Sequence, residues 1–181
     1  PFSTKILSNL NKILIIIQRS NGDVFLSMTL INALYKYYDS PQIDLLVNED
    51  TLPVAKLIPN VNIIHFFSYQ NKKDNRFKQE KYIVTNIFRK YDLSINLTAS
   101  DRSVIYALLA GKKSISAIEK DNKKSWWKRH LLSYYYYFDN TKHILLNNLE
   151  PLNYLQIKSK AIQLSLQVSD KSISSIENKL F

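Results

Sequence analysis

The sequence predicts an α/β domain of the doubly wound kind, with helices on both faces of a mainly parallel sheet. Three observations carry this expectation. Short apolar, β-branched runs alternate with longer amphipathic stretches about five times, an order that yields parallel strands joined by right-handed crossovers. The first runs are apolar throughout, as in strands buried on both faces. The chain has 181 residues, 45% of them hydrophobic, which suffices for one ordinary domain with a core.

KILIII (12 to 17) is the first expected strand. DVFLSMTLINALYKYY (23 to 38) places Val24, Met28, Ile31 and Tyr35 at helical spacing, widened by Leu26, Leu30 and Leu34 into one broad buried face. SPQ breaks this helix, and IDLLV (43 to 47) is the next strand. TLPVAKLI (51 to 58) reads as a short helix with Pro53 in its first turn. NIIHFF (62 to 67) is a third strand, and a helix runs from the polar stretch after it to Lys90. YDLSINL (91 to 97) is a fourth strand. SDRSVIYALLAG follows as a helix, with Ser100 or Asp101 at its N-cap and Gly111 just past its end. KSISAI (113 to 118) is a short fifth strand, and residues 119 to 139 fit no element clearly. NTKHILLNNLEPLNYL (140 to 155) reads as a helix kinked or ended near Pro151. A further helix is expected from Ser169 or Asp170 onward.

In an open parallel sheet, ligands bind outside the carboxyl ends of the strands. QRSNGDVFLS (18 to 27) lies at the first such corner and holds one of only two glycines, Gly22. A dinucleotide fingerprint needs three glycines and a P-loop needs Gly-Lys-Ser/Thr, so neither can be built here. What remains is a tight turn around a residue able to adopt left-handed backbone, followed by Asp23. That aspartate has two readings: a helix N-cap, or a carboxylate at the mouth of the cleft able to take a proton from a substrate hydroxyl. The two roles are compatible.

These segments carry a family resemblance. KILIIIQRSNGDVFLSMTLINALYKYY, IDLLV and PNVNIIHFF resemble the opening of the lipopolysaccharide heptosyltransferases, glycosyltransferase family nine. YDLSINLTASDRSVIYALLAG and KHILLNNLEPLNYL are similar to its later segments, so the resemblance runs from Lys12 to Leu155. It implies a Rossmann-like acceptor-binding domain over residues 1 to 157, the N-terminal half of a GT-B enzyme. Residues 158 to 181 would be the linker and the start of an interdomain helix, with the donor domain absent. It implies inverting transfer of heptose from a nucleotide-activated donor to the lipopolysaccharide core or a lipid A precursor, without metal or cofactor. Asp23 maps onto the general base. The setting implied is cytoplasmic, peripheral at the inner membrane of a Gram-negative bacterium. The chain alone is expected to bind acceptor without transferring sugar. The alternative is a non-catalytic binding or scaffold remnant of a glycosyltransferase.

Other candidates follow from position. Arg19, Ser20, Asn21 and Gly22 share the first corner. Asn96, Thr98 and Ser100 follow the fourth strand and could bond sugar hydroxyls; turn and cap chemistry explains them as well. Arg102 stands in the first turn of a helix, where a cation is unfavourable unless an anion is near. The net charge of +10 favours an anionic partner. Residues 112 to 130 concentrate it, with seven lysines and arginines against two acidic residues. Lys123, Lys124, Trp126, Trp127, Lys128 and Arg129 suit an anionic lipid surface better than nucleic acid; a solvated loop with its tryptophans packed inward is the plainer account. The absence of cysteine excludes disulfides, thiolate metal sites and cysteine nucleophiles. His65, His130 and His143 lack metal-ligand spacing.

Overall fold

In the computed structural model, residues 9–120 and 125–157 are described. Six strands, all parallel, form one sheet in the order β3-β2-β1-β4-β5-β6. They are β1 (Lys12–Ile17), β2 (Gln42–Asn48), β3 (Ile64–Phe67), β4 (Tyr91–Asn96), β5 (Gly111–Ile118) and β6 (Tyr134–Tyr137). The helices are α1 (Asn21–Leu26), α2 (Met28–Tyr37), α3 (Leu52–Ala55), α4 (Tyr69–Ile87), α5 (Asp101–Ala110), α6 (Trp126–Leu131) and α7 (Ile144–Tyr154). The doubly wound architecture is therefore as expected, with the strand order reversing between β1 and β4.

Side-chain alternation divides the core. Ile13, Ile15 and Ile17 pack with Val24, Leu30, Leu34 and Leu152 under α1, α2 and α7, while Leu14 and Ile16 pack with Ile83, Ile87 and Tyr106 under α4 and α5. Val104, Ile118 and Leu132 form a smaller cluster below α6, against which Trp127 packs. At the amino edge, Asp92 accepts from the backbone N–H of Asn11 and Lys12, both at 3.1 Å, and fixes where β1 enters the sheet.

Several elements differ from the sequence expectation. The helix expected over 23 to 38 starts at Asn21 and is interrupted at Ser27, whose hydroxyl bonds back to the carbonyl of Val24 at 2.7 Å; such back-bonding competes with the helical ladder. Gly22 has no left-handed backbone and lies inside α1. The left-handed positions fall instead on Asp39, Ser40, Asn60, Arg89 and Gln156. Gln156 closes α7, with the Ile157 N–H bonded to the Leu152 carbonyl at 3.0 Å. That helix begins at Ile144, capped by His143, and passes through Pro151. The helix of 51 to 58 is a short turn at residues 49–51 followed by α3, and α4 ends at Ile87 rather than Lys90. Gly111 has extended backbone (φ −97°) and opens β5 directly. The unassigned 119 to 139 region contains α6 and the sixth strand. The expected linker and helix of 158 to 181 lie outside the described residues.

Candidate active site

The carboxyl ends of β1, β4, β5 and β6 open onto a cleft of about 1240 Å³. Arg19 enters from β1, Ala99 from the loop after β4, Glu119 and Lys120 from β5, and Tyr135 to Lys142 from β6 and its following loop. Glu150 and Tyr154 of α7 complete the wall. The cleft thus straddles the point where strand order reverses, the place where open α/β sheets bind ligands.

The first corner is built around Ser20. Its side chain caps α1 by accepting from the Asp23 N–H at 3.4 Å. Asp23 is therefore not the N-cap; it occupies the third position of the first turn, where a carboxylate is favoured by the helix end. Arg19 Nε donates to Asp23 Oδ2 at 2.8 Å, and the two side chains are 30% and 18% exposed. Oδ1 has no hydrogen-bond partner among the described residues. The Arg19 guanidinium also lies over the Phe138 ring, 4.5 Å from its centroid. Arg19 reaches the cleft wall itself, and Asp23 stands behind it, partly exposed rather than turned into the core. α7 steadies this arrangement. Asn148 Nδ2 donates to the Asp23 carbonyl at 3.4 Å, and Asn147 exchanges two hydrogen bonds with the Asp139 backbone at 3.0 and 2.9 Å. Asn21 and Gly22 are exposed on the first turn of α1, and nothing lies within 4 Å of where a Gly22 Cβ would stand.

The residues after β4 are placed differently from one another. Asn96 is fully buried. Its Nδ2 donates to the Thr98 carbonyl at 2.6 Å, Ser116 Oγ at 2.9 Å and Ser103 Oγ at 3.1 Å, and its Oδ1 accepts from the Thr98 N–H at 3.1 Å. Thr98 Oγ1 accepts from the Gln18 N–H at 2.9 Å, tying the ends of β4 and β1 together. Ser100 caps α5. Arg102 is turned toward the far side of the sheet. Its guanidinium stacks 3.7 Å from the centroid of Phe67, and its terminal nitrogen donates to Tyr69 Oη at 3.1 Å. The structure therefore brings Arg19 and Asp23 together beside the cleft, and commits Asn96, Thr98 and Arg102 to contacts within the fold.

The basic aromatic segment also splits. Trp126 and Arg129 are exposed, Trp127 is half-buried, and Lys123 and Lys124 lie outside the described residues. Lys128 is buried: its Nζ meets Asp101 Oδ1 at 2.7 Å and the Ala99 carbonyl at 3.0 Å, which holds α6 to the loop after β4. It is a structural cation rather than a surface one. Among the described residues no three His, Asp or Glu side chains are grouped to hold a metal ion, and no helix is long and apolar enough to cross a membrane.

From sequence, YYYYFD (134 to 139) reads either as an extension of the basic aromatic surface or as simple packing. In the structure its tyrosines form β6, and Tyr135 to Asp139 line the cleft with Glu150 and Tyr154 of α7.

No protein-family profile matches the chain. It is similar to lipopolysaccharide heptosyltransferase 3 of Escherichia coli, 30% identical over 82 residues, which are 44% of this chain and 24% of that protein. The protein of that name from Escherichia coli strain K12 is 33% identical over 84 residues, again 44% and 24% of the two chains. Among solved structures, the glycosyl transferase family 9 protein from Veillonella parvula superposes with a TM-score of 0.79 at 16% identity, over 97% of this chain and 50% of that one. The Escherichia coli ADP-heptose lipopolysaccharide heptosyltransferase II gives 0.64 at 20% identity, over 93% and 50%. The chain thus spans about a quarter of the length of the curated relatives in its sequence match, and half of the solved chains. The resemblance read from the sequence holds: the fold is that of one half of a GT-B, family-nine glycosyltransferase, heptosyltransferase-like in its sequence match.

Proposed function

We propose that this heptosyltransferase-like domain is the acceptor-binding half of an inverting, metal-independent heptosyltransferase, with Asp23 as general base. The carrying observation is the Arg19–Asp23 pair at the carboxyl ends of the strands, beside the cleft. Arg19 holds Oδ2, which leaves Oδ1 to accept a proton. In the proposed step an acceptor hydroxyl gives its proton to Oδ1 as its oxygen bonds the anomeric carbon of the donor. The bond from that carbon to the nucleotide phosphate breaks on the opposite face, so the configuration inverts. Base assistance of this kind is worth roughly 10²- to 10⁴-fold.

The acceptor is the lipopolysaccharide core or a lipid A precursor, seated in the cleft; the donor is a nucleotide-activated heptose bound by a second domain outside this chain. Arg19 lines the cleft and is the first proposed acceptor contact; Ser20, Asn21 and Gly22 stand on the same corner outside its lining, and Asn96, Thr98 and Arg102 are engaged within the fold. The exposed Trp126 and Arg129 would meet an anionic lipid surface at the cytoplasmic face of the inner membrane. No cofactor and no nucleic acid enter this scheme.

The test is transfer of heptose from ADP-heptose to a defined core acceptor by the chain joined to its donor domain. Asp23→Asn is expected to lower kcat by 10²-fold or more while leaving acceptor affinity intact. Near-normal turnover by that variant would refute the base assignment. Acceptor binding with no transfer, even by the complete wild-type protein, would favour the scaffold alternative.

A further inference from the structure

Phe138 follows the last residue of β6 and has a neighbour on each side. Its ring packs against the core cluster that holds Ile17, Val24 and Leu152. The Arg19 guanidinium lies over the same ring, 4.5 Å from its centroid. The backbone beneath the ring is fixed twice. The Phe138 N–H donates to the Ile118 carbonyl at 2.9 Å, which carries the β5–β6 ladder past the end of the strand. The next residue, Asp139, donates its N–H to Asn147 Oδ1 at 3.0 Å and accepts at its carbonyl from Asn147 Nδ2 at 2.9 Å, and Asn147 is a buried residue of α7. A ring mounted in this way has little room to shift.

Arg19 needs such a support. Ordering so long a side chain costs much rotamer freedom. Among the described residues its one hydrogen bond as a donor is that from Nε to Asp23 Oδ2. An ion pair whose side chains are 30% and 18% exposed is a weak restraint by itself. A planar guanidinium can give Nε to a carboxylate and lay its face on an aromatic ring at once. With the guanidinium plane fixed, the position of Oδ2 is fixed, and so is the direction in which Oδ1 points. An aliphatic residue in place of Phe138 would fill the same space against the core and offer no π face.

We infer that Phe138 is a positioning residue, whose ring holds the Arg19 guanidinium and thereby aims the free oxygen of Asp23. The inference rests on the reading of Asp23 as general base, and it adds to that base a support from the far end of the sheet. The loop that lines the cleft is in this way part of what orients the base.

The test has a structural and a kinetic arm. In the 181-residue chain, NMR of the Arg19 side chain is expected to show its δ protons moved upfield by the ring current of Phe138, and Phe138→Leu is expected to abolish that displacement. In the chain joined to its donor domain, with ADP-heptose and a defined core acceptor, Phe138→Leu is expected to lower kcat by roughly 3- to 10-fold with acceptor KM unchanged, the order of one lost cation–π contact and a displaced reacting group. Phe138→Tyr, which keeps the ring, should stay within about twofold of wild type. Added to Arg19→Lys, Phe138→Leu should lower kcat by less than about twofold more, since two residues acting through one contact do not add.

Wild-type Arg19 protons at ordinary shifts overturn the inference, and this measurement stands even if the leucine variant fails to fold. So does a Phe138→Leu enzyme with normal kcat, or with a change in acceptor KM alone, or a Phe138→Tyr enzyme as impaired as the leucine variant. Each of these leaves the base reading intact as long as Asp23→Asn is inactive. Normal turnover by Asp23→Asn overturns both.

Discussion

Arg19, just before the cap of α1, and Asp23, in its first turn, are four residues apart; the guanidinium Nε meets the carboxylate Oδ2 at 2.8 Å, and the guanidinium lies 4.5 Å from the centre of the Phe138 ring. One side chain therefore joins the first corner of the sheet to the loop after its last strand. On this geometry Arg19 is a positioning residue for the proposed base. Arg19→Lys keeps the charge but loses the planar fork that can donate from Nε and lie on a ring together. Misplacing a reacting group by about 1 Å can cost 10²-fold, so this variant is expected to lower kcat by roughly 10- to 100-fold. Because the charge remains, acceptor KM should change little. Steady-state kinetics of the complete enzyme, with kcat and KM separated, would check this. An effect confined to KM would recast Arg19 as an acceptor contact alone.

The two glycines should respond oppositely to alanine. Gly22 is helical and exposed, and nothing lies within 4 Å of the place a methyl group would take. Gly22→Ala should therefore stabilise the fold by about 0.5–1 kcal/mol through chain entropy and helix propensity. A Cβ on Gly111 would stand 2.7 Å from both the backbone nitrogen and Oγ of Ser94, and closer still to the Lys113 carbonyl. Gly111→Ala should cost roughly 1–3 kcal/mol, the range for overpacking. Chemical denaturation of both variants gives the comparison. If Gly22→Ala stabilises the chain but impairs acceptor binding, the open space over α1 serves the ligand.

Asn96 separates a structural from a ligand-binding role by stability alone. It is fully buried and bonds Thr98, Ser103 and Ser116, knitting β4, α5 and β5 together. Asn96→Ala should destabilise by about 2–4 kcal/mol, because it strands several buried polar partners. A thermal or urea midpoint equal to wild type would show that these bonds contribute little.

What the sequence disclosed, and what it hid, follows from how local each signal is. The first five strands and the helices between them were legible because burial on both faces of a parallel sheet leaves long apolar runs. β6 was not: it is an edge strand of four tyrosines, and aromatic runs suit a strand or a surface equally. Gly22 was misread because a lone glycine near a corner suggests left-handed backbone. In a chain with two glycines, that conformation is carried by residues such as Asp39, Arg89 and Gln156. Lys128 was placed on the surface by composition; only the fold brings Asp101 to its Nζ at 2.7 Å and turns it inward. The carboxylate of Asp23 was legible as a candidate, whereas its partner ring, Phe138, lies over a hundred positions away and needs β6 to be placed.

The amino half of the sheet carries a histidine that should make stability depend on pH. Tyr91 Oη donates to Asp44 Oδ2 at 2.8 Å and so accepts from His65 Nε2 at 3.1 Å. Burial holds the His65 proton affinity below its ordinary value, with Lys90 adding to the effect and Asp44 opposing it. In the unfolded chain the imidazole takes up its proton as pH falls through about 6.5. The folded protein does so only at lower pH, so over that window the unfolded state binds more protons. Stability therefore declines with falling pH, by at most about 1.4 kcal/mol per unit, and the decline ends below the folded value. His65→Gln can still donate to Tyr91 but does not titrate. It is expected to be less stable than wild type at pH 7.5, with the gap narrowing by pH 5. Urea midpoints of the two proteins at both pH values measure this, and a constant gap would remove His65 from the acid response of the fold.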